Sequence, residues 1–171
     1  MQLFHGTIHS LSTEIENSGT IAHLVARPFY EGDDVSTTDG FVYLTDNIGY
    51  AIYLAQRNAV YKGEDMCAVY SVDVNYSELL ADIDQLRMKH GMTVDDAKKL
   101  TATQSLQISQ SCAIARSLAI GGDVKAKLLL PSGSNSQHQD YKFMAQLRQL
   151  RKTGDAGQAL SLVKADNWHH F

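Results

Sequence analysis

The pattern of apolar and polar residues predicts a mixture of short strands and helices. Short runs rich in apolar, β-branched or aromatic residues indicate strands at residues 2–4, 20–29, 41–44, 67–74, 124–130 and 141–144. The run at 67–74 is the clearest of these, because Val and Tyr dominate it. Polar segments with Gly, Pro and Ser predict loops at residues 31–40 and 131–136.

Apolar residues at helical spacing predict the helices. After the N-cap candidates Asp46 and Asn47, one apolar stripe passes through Ile48, Ala51, Ile52, Ala55 and Ala59. Tyr53 lies off this stripe, so burial in the core does not explain it. Residues 12–18 are expected to form a short helix or turn. Residues 77–120 are expected to form a helical block, with helices at about 77–90, 93–100 and 104–120.

The order of these elements predicts the fold class. Strands and helices do not alternate regularly, which favours an α+β fold over a doubly wound parallel sheet. A chain of 171 residues without internal repeats is expected to form a single domain over residues 1–171. No run is long enough to span a membrane and the N-terminus has no secretory leader pattern, so a cytoplasmic protein is expected.

Net charge restricts the class of partner. A net charge of -4 argues against a general nucleic-acid binder, which normally has a basic face. A nucleic-acid acceptor stays open as an alternative because a local basic patch is formed by Lys142, Arg148, Arg151 and Lys152.

The cysteine and histidine pattern gives no indication of a metal site. Cys67 and Cys112 lie in apolar runs without a C-x-x-C motif, so we expect two buried thiols that behave as small apolar residues. His169 and His170 are expected to lie in a frayed C-terminal end rather than to bind a metal.

Candidate catalytic residues are dispersed, because the chain has no P-loop, GxGxxG, HExxH or GxSxG motif. His5 can donate one hydrogen bond and accept another, which suits a residue that orients a sugar hydroxyl. Tyr43 and Tyr53 can hold a planar heterocycle by offset stacking. Asp140 can stabilise a developing positive charge. Each also has a purely structural interpretation. His5 would be a strand-end histidine and Tyr43 a core tyrosine. Tyr53 would be a surface tyrosine and Asp140 a solvated carboxylate.

In order, these residues resemble the motifs of a known superfamily. His-Gly-Thr at residues 5–7, then Gly-Phe-Val-Tyr-Leu at 40–44 and a helix with a second tyrosine, resemble the His-Tyr-Glu branch of the ADP-ribosyltransferases. This branch includes diphtheria-toxin-like enzymes and poly(ADP-ribose) polymerases. Over about residues 2–150 the layout also resembles small phage-encoded ADP-ribosyltransferases, one of which is an anti-CRISPR protein. The resemblance implies a split β-sheet core with a helical insert.

The resemblance also implies an activity. NAD would be the co-substrate, its bond to nicotinamide would be cleaved, and ADP-ribose would pass to a macromolecule, for which we expect a host protein. The resemblance implies that His5 orients the NAD ribose and that the backbone of Gly6 contacts the nicotinamide amide. It implies that Tyr43 and Tyr53 flank the nicotinamide ring.

Two threonines complete the predicted contacts to NAD. Thr7 ends the first motif and Thr45 follows the second. The resemblance places both among the residues that bind the co-substrate.

The third catalytic residue departs from the family pattern. The family has a Glu at the start of a late strand, and this chain has none in that region. One alignment makes Asp140 the equivalent and another makes it Gln139. Asp140 is preferred, because only a carboxylate strongly favours a developing positive charge. A Gln at this position would weaken catalysis, and the alternative function is then an inactive module that binds a protein partner through residues 77–120.

Overall fold

The computed structural model describes residues 1–24, 37–152 and 156–171. The strands are β1 Gln2–Ile8, β2 Thr20–Ile21, β3 Val42–Leu44, β4 Met66–Asp73, β5 Leu79–Ala81, β6 Cys112–Ile114, β7 Leu118–Ala119, β8 Val124–Pro131 and β9 His169–His170. The α-helices are α1 His9–Ser18, α2 Ile48–Tyr61, α3 Ile83–His90, α4 Val94–Ala97, α5 Ala102–Ser109, α6 Tyr141–Leu150 and α7 Ala156–Ser161. Helices together with antiparallel sheets confirm the expected α+β class.

The central sheet has the strand order β1-β4-β8-β9 and separates two apolar cores. The side chains of β4 alternate between them: Cys67 and Val69 belong to one core, and Ala68 and Tyr70 to the other. Because both faces are covered, the strand is apolar from Met66 to Tyr70. Cys67 and Cys112 are free and buried, as predicted, and burial raises the pKa of each thiol to about 12.

Helices α2 and α6 cover one face of this sheet. Asn47 caps α2 as predicted, since its side-chain oxygen accepts hydrogen bonds from the backbone N–H groups of Gly49 and Tyr50. Helix α6 approaches so closely that a Cβ on Gly49 would lie 2.6 Å from the carbonyl oxygen of Leu147. A glycine is therefore required where the two helices meet.

A second sheet, with the order β3-β6-β5, meets the central sheet at one point. The Phe4 N–H donates to the Thr45 carbonyl oxygen at 2.8 Å, and the Thr45 N–H donates to the Phe4 carbonyl oxygen at 3.0 Å. This is an isolated bridge, although β1 and β3 are both fully described. The two sheets therefore separate beyond it, and a cleft can open between the strands.

The predicted helical block at residues 77–120 is wrong in part, because it also contains the strands β5, β6 and β7. The first helix begins after Asp82 rather than Ser77, since the Asp82 carboxylate accepts the Gln85 N–H at 2.9 Å. The long helix ends at Ser109 and is followed by Gln110 with a left-handed φ of 57°. Strand β6 then pairs with β3 on one side and β5 on the other, and this pairing outweighs local helical propensity.

The strand predicted at residues 141–144 is also wrong, because this segment begins α6. Its buried side chains, Met144 and Leu147, are three residues apart, which is a helical spacing. Asp140 therefore precedes a helix and not a strand.

The C-terminal residues are ordered as a strand, so the predicted frayed end is wrong. In β9, His169 pairs with Lys127 and His170 with Ala126 of β8. Aromatic packing accompanies this pairing: Trp168 stacks on Phe4.

Two predicted segments are described only partly. The extended run predicted at 20–29 is described to residue 24, with β2 at Thr20–Ile21, and the loop predicted at 31–40 is described from residue 37. Residues 25–36 lie outside the described residues. In the described ranges, no helix has both the length and the apolar character needed to cross a membrane.

Candidate active site

A cleft of about 350 Å³ opens where the two sheets separate. Strands β1 and β3 lie on it, together with α2 and the beginning of α3. Its lining includes the polar or aromatic residues His5, Tyr43, Thr45, Tyr50, Arg57, Asp82, Asp84, Gln85 and Ser111. Residues from both sequence motifs, which are far apart in the chain, therefore contact the same cavity.

His5 connects the two strands where their pairing stops. Its Nδ1 lies 3.0 Å from the carbonyl oxygen of Tyr43. A carbonyl oxygen can only accept, so Nδ1 carries the proton, and Nε2 of the neutral ring is an acceptor. This tautomer suits a side chain that accepts a hydrogen bond from a sugar hydroxyl.

Gly6 directs its backbone groups to the cleft and also lets α2 pack against β1. Phe4 directs its N–H and C=O towards Thr45, and antiparallel pairing alternates these directions along a strand, so Gly6 directs its own groups to the same edge. That edge of β1 faces the cleft. A Cβ on Gly6 would also lie 2.2 Å from the Ala51 carbonyl oxygen, so only glycine lets α2 pack here.

Tyr43 is hydrogen-bonded to a carboxylate that was not predicted from the sequence. Its hydroxyl donates to Asp84 Oδ2 at 2.5 Å. Asp84 is 7% exposed and also accepts from the Thr38 N–H at 2.6 Å and the Thr38 hydroxyl at 2.9 Å. Burial and the neighbouring Asp84 raise the pKa of Tyr43 far above its ordinary value, so the hydroxyl remains a donor. A fixed carboxylate therefore lies beside Tyr43.

Asp82 holds the beginning of α3 in place. It is fully buried and accepts from the Ser111 hydroxyl at 2.5 Å and the Gln85 N–H at 2.9 Å. Its own N–H donates to the Ser105 hydroxyl at 2.9 Å. Burial raises the pKa of Asp82 to about 6. This network fixes α3 against β6 and α5 and so positions Asp84.

Of the three tyrosines on α2, which are Tyr50, Tyr53 and Tyr61, only Tyr50 lines the cleft. The Tyr50 and Tyr53 rings stack with centroids 6.2 Å apart. Tyr53 lies in a second concavity of about 200 Å³, and the Arg151 guanidinium carbon is 3.8 Å from its ring centroid. Lys89 Nζ donates to the Tyr50 hydroxyl at 2.8 Å. Tyr50 is therefore the helix tyrosine that shares the cleft with Tyr43.

Asp140 and Gln139 lie outside the residues that line the cleft. Asp140 occupies the N-cap position of α6, and its N–H donates to His138 Nδ1 at 3.1 Å. Gln139 is exposed. Their loop lies near the start of β4, where the Ser132 N–H donates to the Asp65 carbonyl oxygen at 2.7 Å.

The two predicted threonines differ in position. Thr45 lines the cleft, and its hydroxyl oxygen accepts the Asn47 N–H at 3.0 Å. Thr7 is buried in β1 and does not line the cleft.

Four residues that line the cleft were not predicted from the sequence: Tyr50, Asp82, Asp84 and Gln85. Tyr50 lies one helical turn before Tyr53, and this spacing was the available signal. The run of residues 82–85 gave no signal for a site, because its contact with β3 depends on how distant segments pack.

Among the described residues, no group of three or more His, Cys, Asp or Glu side chains is arranged to hold a metal ion. Compared with known proteins, the chain matches no family model and no curated protein sequence. Function is therefore inferred from the residues and geometry of the cleft.

Proposed function

We propose that the protein is an NAD-dependent ADP-ribosyltransferase that modifies a macromolecule. The observation that carries this proposal is the meeting of His5, Gly6 and Tyr43 in one cleft with the Asp84 carboxylate. The separation of the two sheets at the bridge between Phe4 and Thr45 supports an ADP-ribosyltransferase-like split sheet.

The cleft residues fit NAD group by group. His5 accepts a hydrogen bond from a ribose hydroxyl through Nε2. The N–H and C=O of Gly6 match the carbonyl and amino groups of the nicotinamide carboxamide. Tyr43 and Tyr50 supply aromatic surface for the ring. The Arg57 guanidinium at the cleft suits a phosphate.

Asp84 takes the electrostatic role in this mechanism. Breaking the bond between the ribose carbon and the nicotinamide nitrogen leaves positive charge on the sugar. A carboxylate that Tyr43 and Thr38 already hold in place stabilises this charge without reorganisation. A nucleophile of the acceptor then bonds to the same carbon and loses its proton.

A non-catalytic binding module is the second function suggested by the sequence, on the ground that the expected glutamate is missing. The Asp84 carboxylate in the cleft supports the transferase instead. The acceptor is proposed to be a host protein in the host-cell cytoplasm, from the resemblance to phage-encoded enzymes.

The test measures nicotinamide release from NAD and transfer of labelled ADP-ribose to protein in a host lysate. We expect Asp84→Asn to lower the rate about 100-fold, since one electrostatic contact to a charged transition state is removed. Asp140→Asn is the matched control and is expected to stay within about twofold of the unmodified protein. Circular dichroism verifies that both variants fold.

Two results would count against this proposal. A folded protein that neither binds NAD nor releases nicotinamide excludes the transferase. Loss of activity in Asp140→Asn with full activity in Asp84→Asn would show that Asp140, and not Asp84, is the catalytic carboxylate.

A further inference from the structure

Gln85 has a buried polar atom that lacks a partner within the described part of the chain. The residue is 9% exposed and lines the cleft, and its Oε1 is buried without a hydrogen bond. Its backbone N–H, in contrast, donates to Asp82. Buried side-chain oxygens are nearly always hydrogen-bonded, because an unpaired one has lost water without replacement. A cleft-lining amide in this state indicates that a bound ligand supplies the donor.

The position of Gln85 shows which part of the ligand is involved. Asp84, the preceding residue, accepts the Tyr43 hydroxyl, and Lys89, about one turn later in α3, donates to the Tyr50 hydroxyl. Gln85 therefore lies between the two contacts that join α3 to the cleft tyrosines. A planar ring that packs on these tyrosines brings its substituents close to this amide.

We propose that Gln85 determines specificity by hydrogen-bonding the primary carboxamide of the heterocycle bound beside Tyr43 and Tyr50. This inference rests on the proposed function, in which nicotinamide supplies that carboxamide. A primary amide has two amino hydrogens and two carbonyl lone pairs, so it can bond to Gln85 as well as to the Gly6 backbone. Gln85 Oε1 accepts the amino hydrogen that the Gly6 carbonyl does not take, and Gln85 Nε2 can donate to the second lone pair of the carbonyl oxygen. The neighbouring carboxylates of Asp82 and Asp84 already accept hydrogen bonds from the protein, whereas Gln85 Oε1 is the side-chain oxygen of this run that lacks a donor.

The test compares NAD with 3-acetylpyridine adenine dinucleotide, in which a methyl group replaces the amino group of the carboxamide. Release of the pyridine base gives kcat/KM, and calorimetry gives the Kd of each dinucleotide without requiring turnover. We expect the unmodified protein to prefer NAD by about 10- to 100-fold. Gln85→Met keeps the size of the side chain but removes the amide, and should lose a measurable part of this preference, because the Gly6 carbonyl remains as an acceptor for the amino group.

The pattern of the loss distinguishes a contact from a general disturbance. Gln85→Met should lower kcat/KM for NAD, mainly by raising KM. It should leave kcat/KM for the analogue within about threefold of its value in the unmodified protein, because the analogue has no amino group to bond with Gln85. Gln107→Met is the control, since Gln107 is an exposed glutamine outside the cleft, and both dinucleotides should be unaffected. Gln85→Glu retains an acceptor oxygen and should retain part of the preference.

Two results would overturn the inference while the proposed function stands: equal use of both dinucleotides by the unmodified protein, or an equal loss for both in Gln85→Met. Either would mean that water alone satisfies the Gln85 oxygen. A folded, unmodified protein that binds and cleaves neither dinucleotide would instead reject the proposed function together with this inference.

Discussion

At the scale of single residues, Gly6 affects both the packing of α2 against β1 and the lining of the cleft. A methyl group there would lie 2.2 Å from the Ala51 carbonyl oxygen and 3.2 Å from Ala55 Cβ. The first contact involves backbone, so relief requires a movement of α2 away from β1. Because α2 also carries Tyr50 and Arg57 along the cleft, this movement would alter the site.

We therefore predict that Gly6→Ala lowers the free energy of unfolding by about 3 kcal/mol, as expected for overpacking against a rigid backbone. Urea denaturation measures this change. Gly122→Ala is the control, since its nearest neighbour would be Ala119 Cβ at 3.4 Å, and a loss below about 1 kcal/mol is expected. Equal losses in the two variants would contradict the close contact between β1 and α2.

The residues that the sequence could indicate were those in recognisable local motifs. His5 and Tyr43 each lie in such a motif, and both line the cleft. Asp84 contacts Tyr43 from a helix 41 residues later, and nothing in its neighbours along the chain indicates that contact. Asp140 was predicted to be the catalytic carboxylate because it precedes a predicted strand, and that segment is a helix in the structure.

Among the elements, α3 depends most on one buried group. Asp82 caps it and has a pKa raised from an ordinary 3.8 to about 6 by burial. The folded protein therefore binds this proton more tightly than the unfolded chain. The stabilisation from protonated Asp82 is complete below about pH 4 and is lost as the pH rises to about 6.

The prediction concerns the difference in unfolding free energy between the unmodified protein and Asp82→Asn, which cannot ionise. Between pH 4 and pH 7, the unmodified protein should lose about 2 kcal/mol of unfolding free energy relative to Asp82→Asn. Urea titrations at the two pH values measure it. A constant difference would show that Asp82 ionises normally in the folded protein.

Three long elements with a regular pattern were predictable from sequence, whereas the short strands β5 and β6 were not. The helix α2 and the strands β4 and β8 each have a pattern that extends over eight or more residues. Strands β5 and β6 have three residues each. Their state depends on pairing, because β6 lies between β3 and β5.

At the scale of the whole molecule, the C-terminal residues join both cores. Trp168 stacks on Phe4 with ring centroids 6.4 Å apart, and Phe171 stacks on Tyr70 at 6.3 Å. Phe4 belongs to one core and Tyr70 to the other. The strand β9 between these aromatic residues pairs with the edge of β8. No local pattern in the sequence shows this, because both stacking partners are more than 100 residues away.

Deletion of residues 168–171 tests whether these contacts stabilise the fold. We expect the free energy of unfolding to fall by about 2 kcal/mol, because two aromatic contacts and the β8 edge pairing are lost together. Hydrogen exchange should also become faster at the β8 amides that β9 protects, and stay unchanged at the β1 amides bonded to β4. The double variant Trp168→Ala, Phe171→Ala keeps the backbone of β9 and separates the aromatic part of the loss from the pairing part. If the deletion changed neither quantity, the C-terminus would be frayed in solution, and Phe4 would keep its place beside His5 without Trp168.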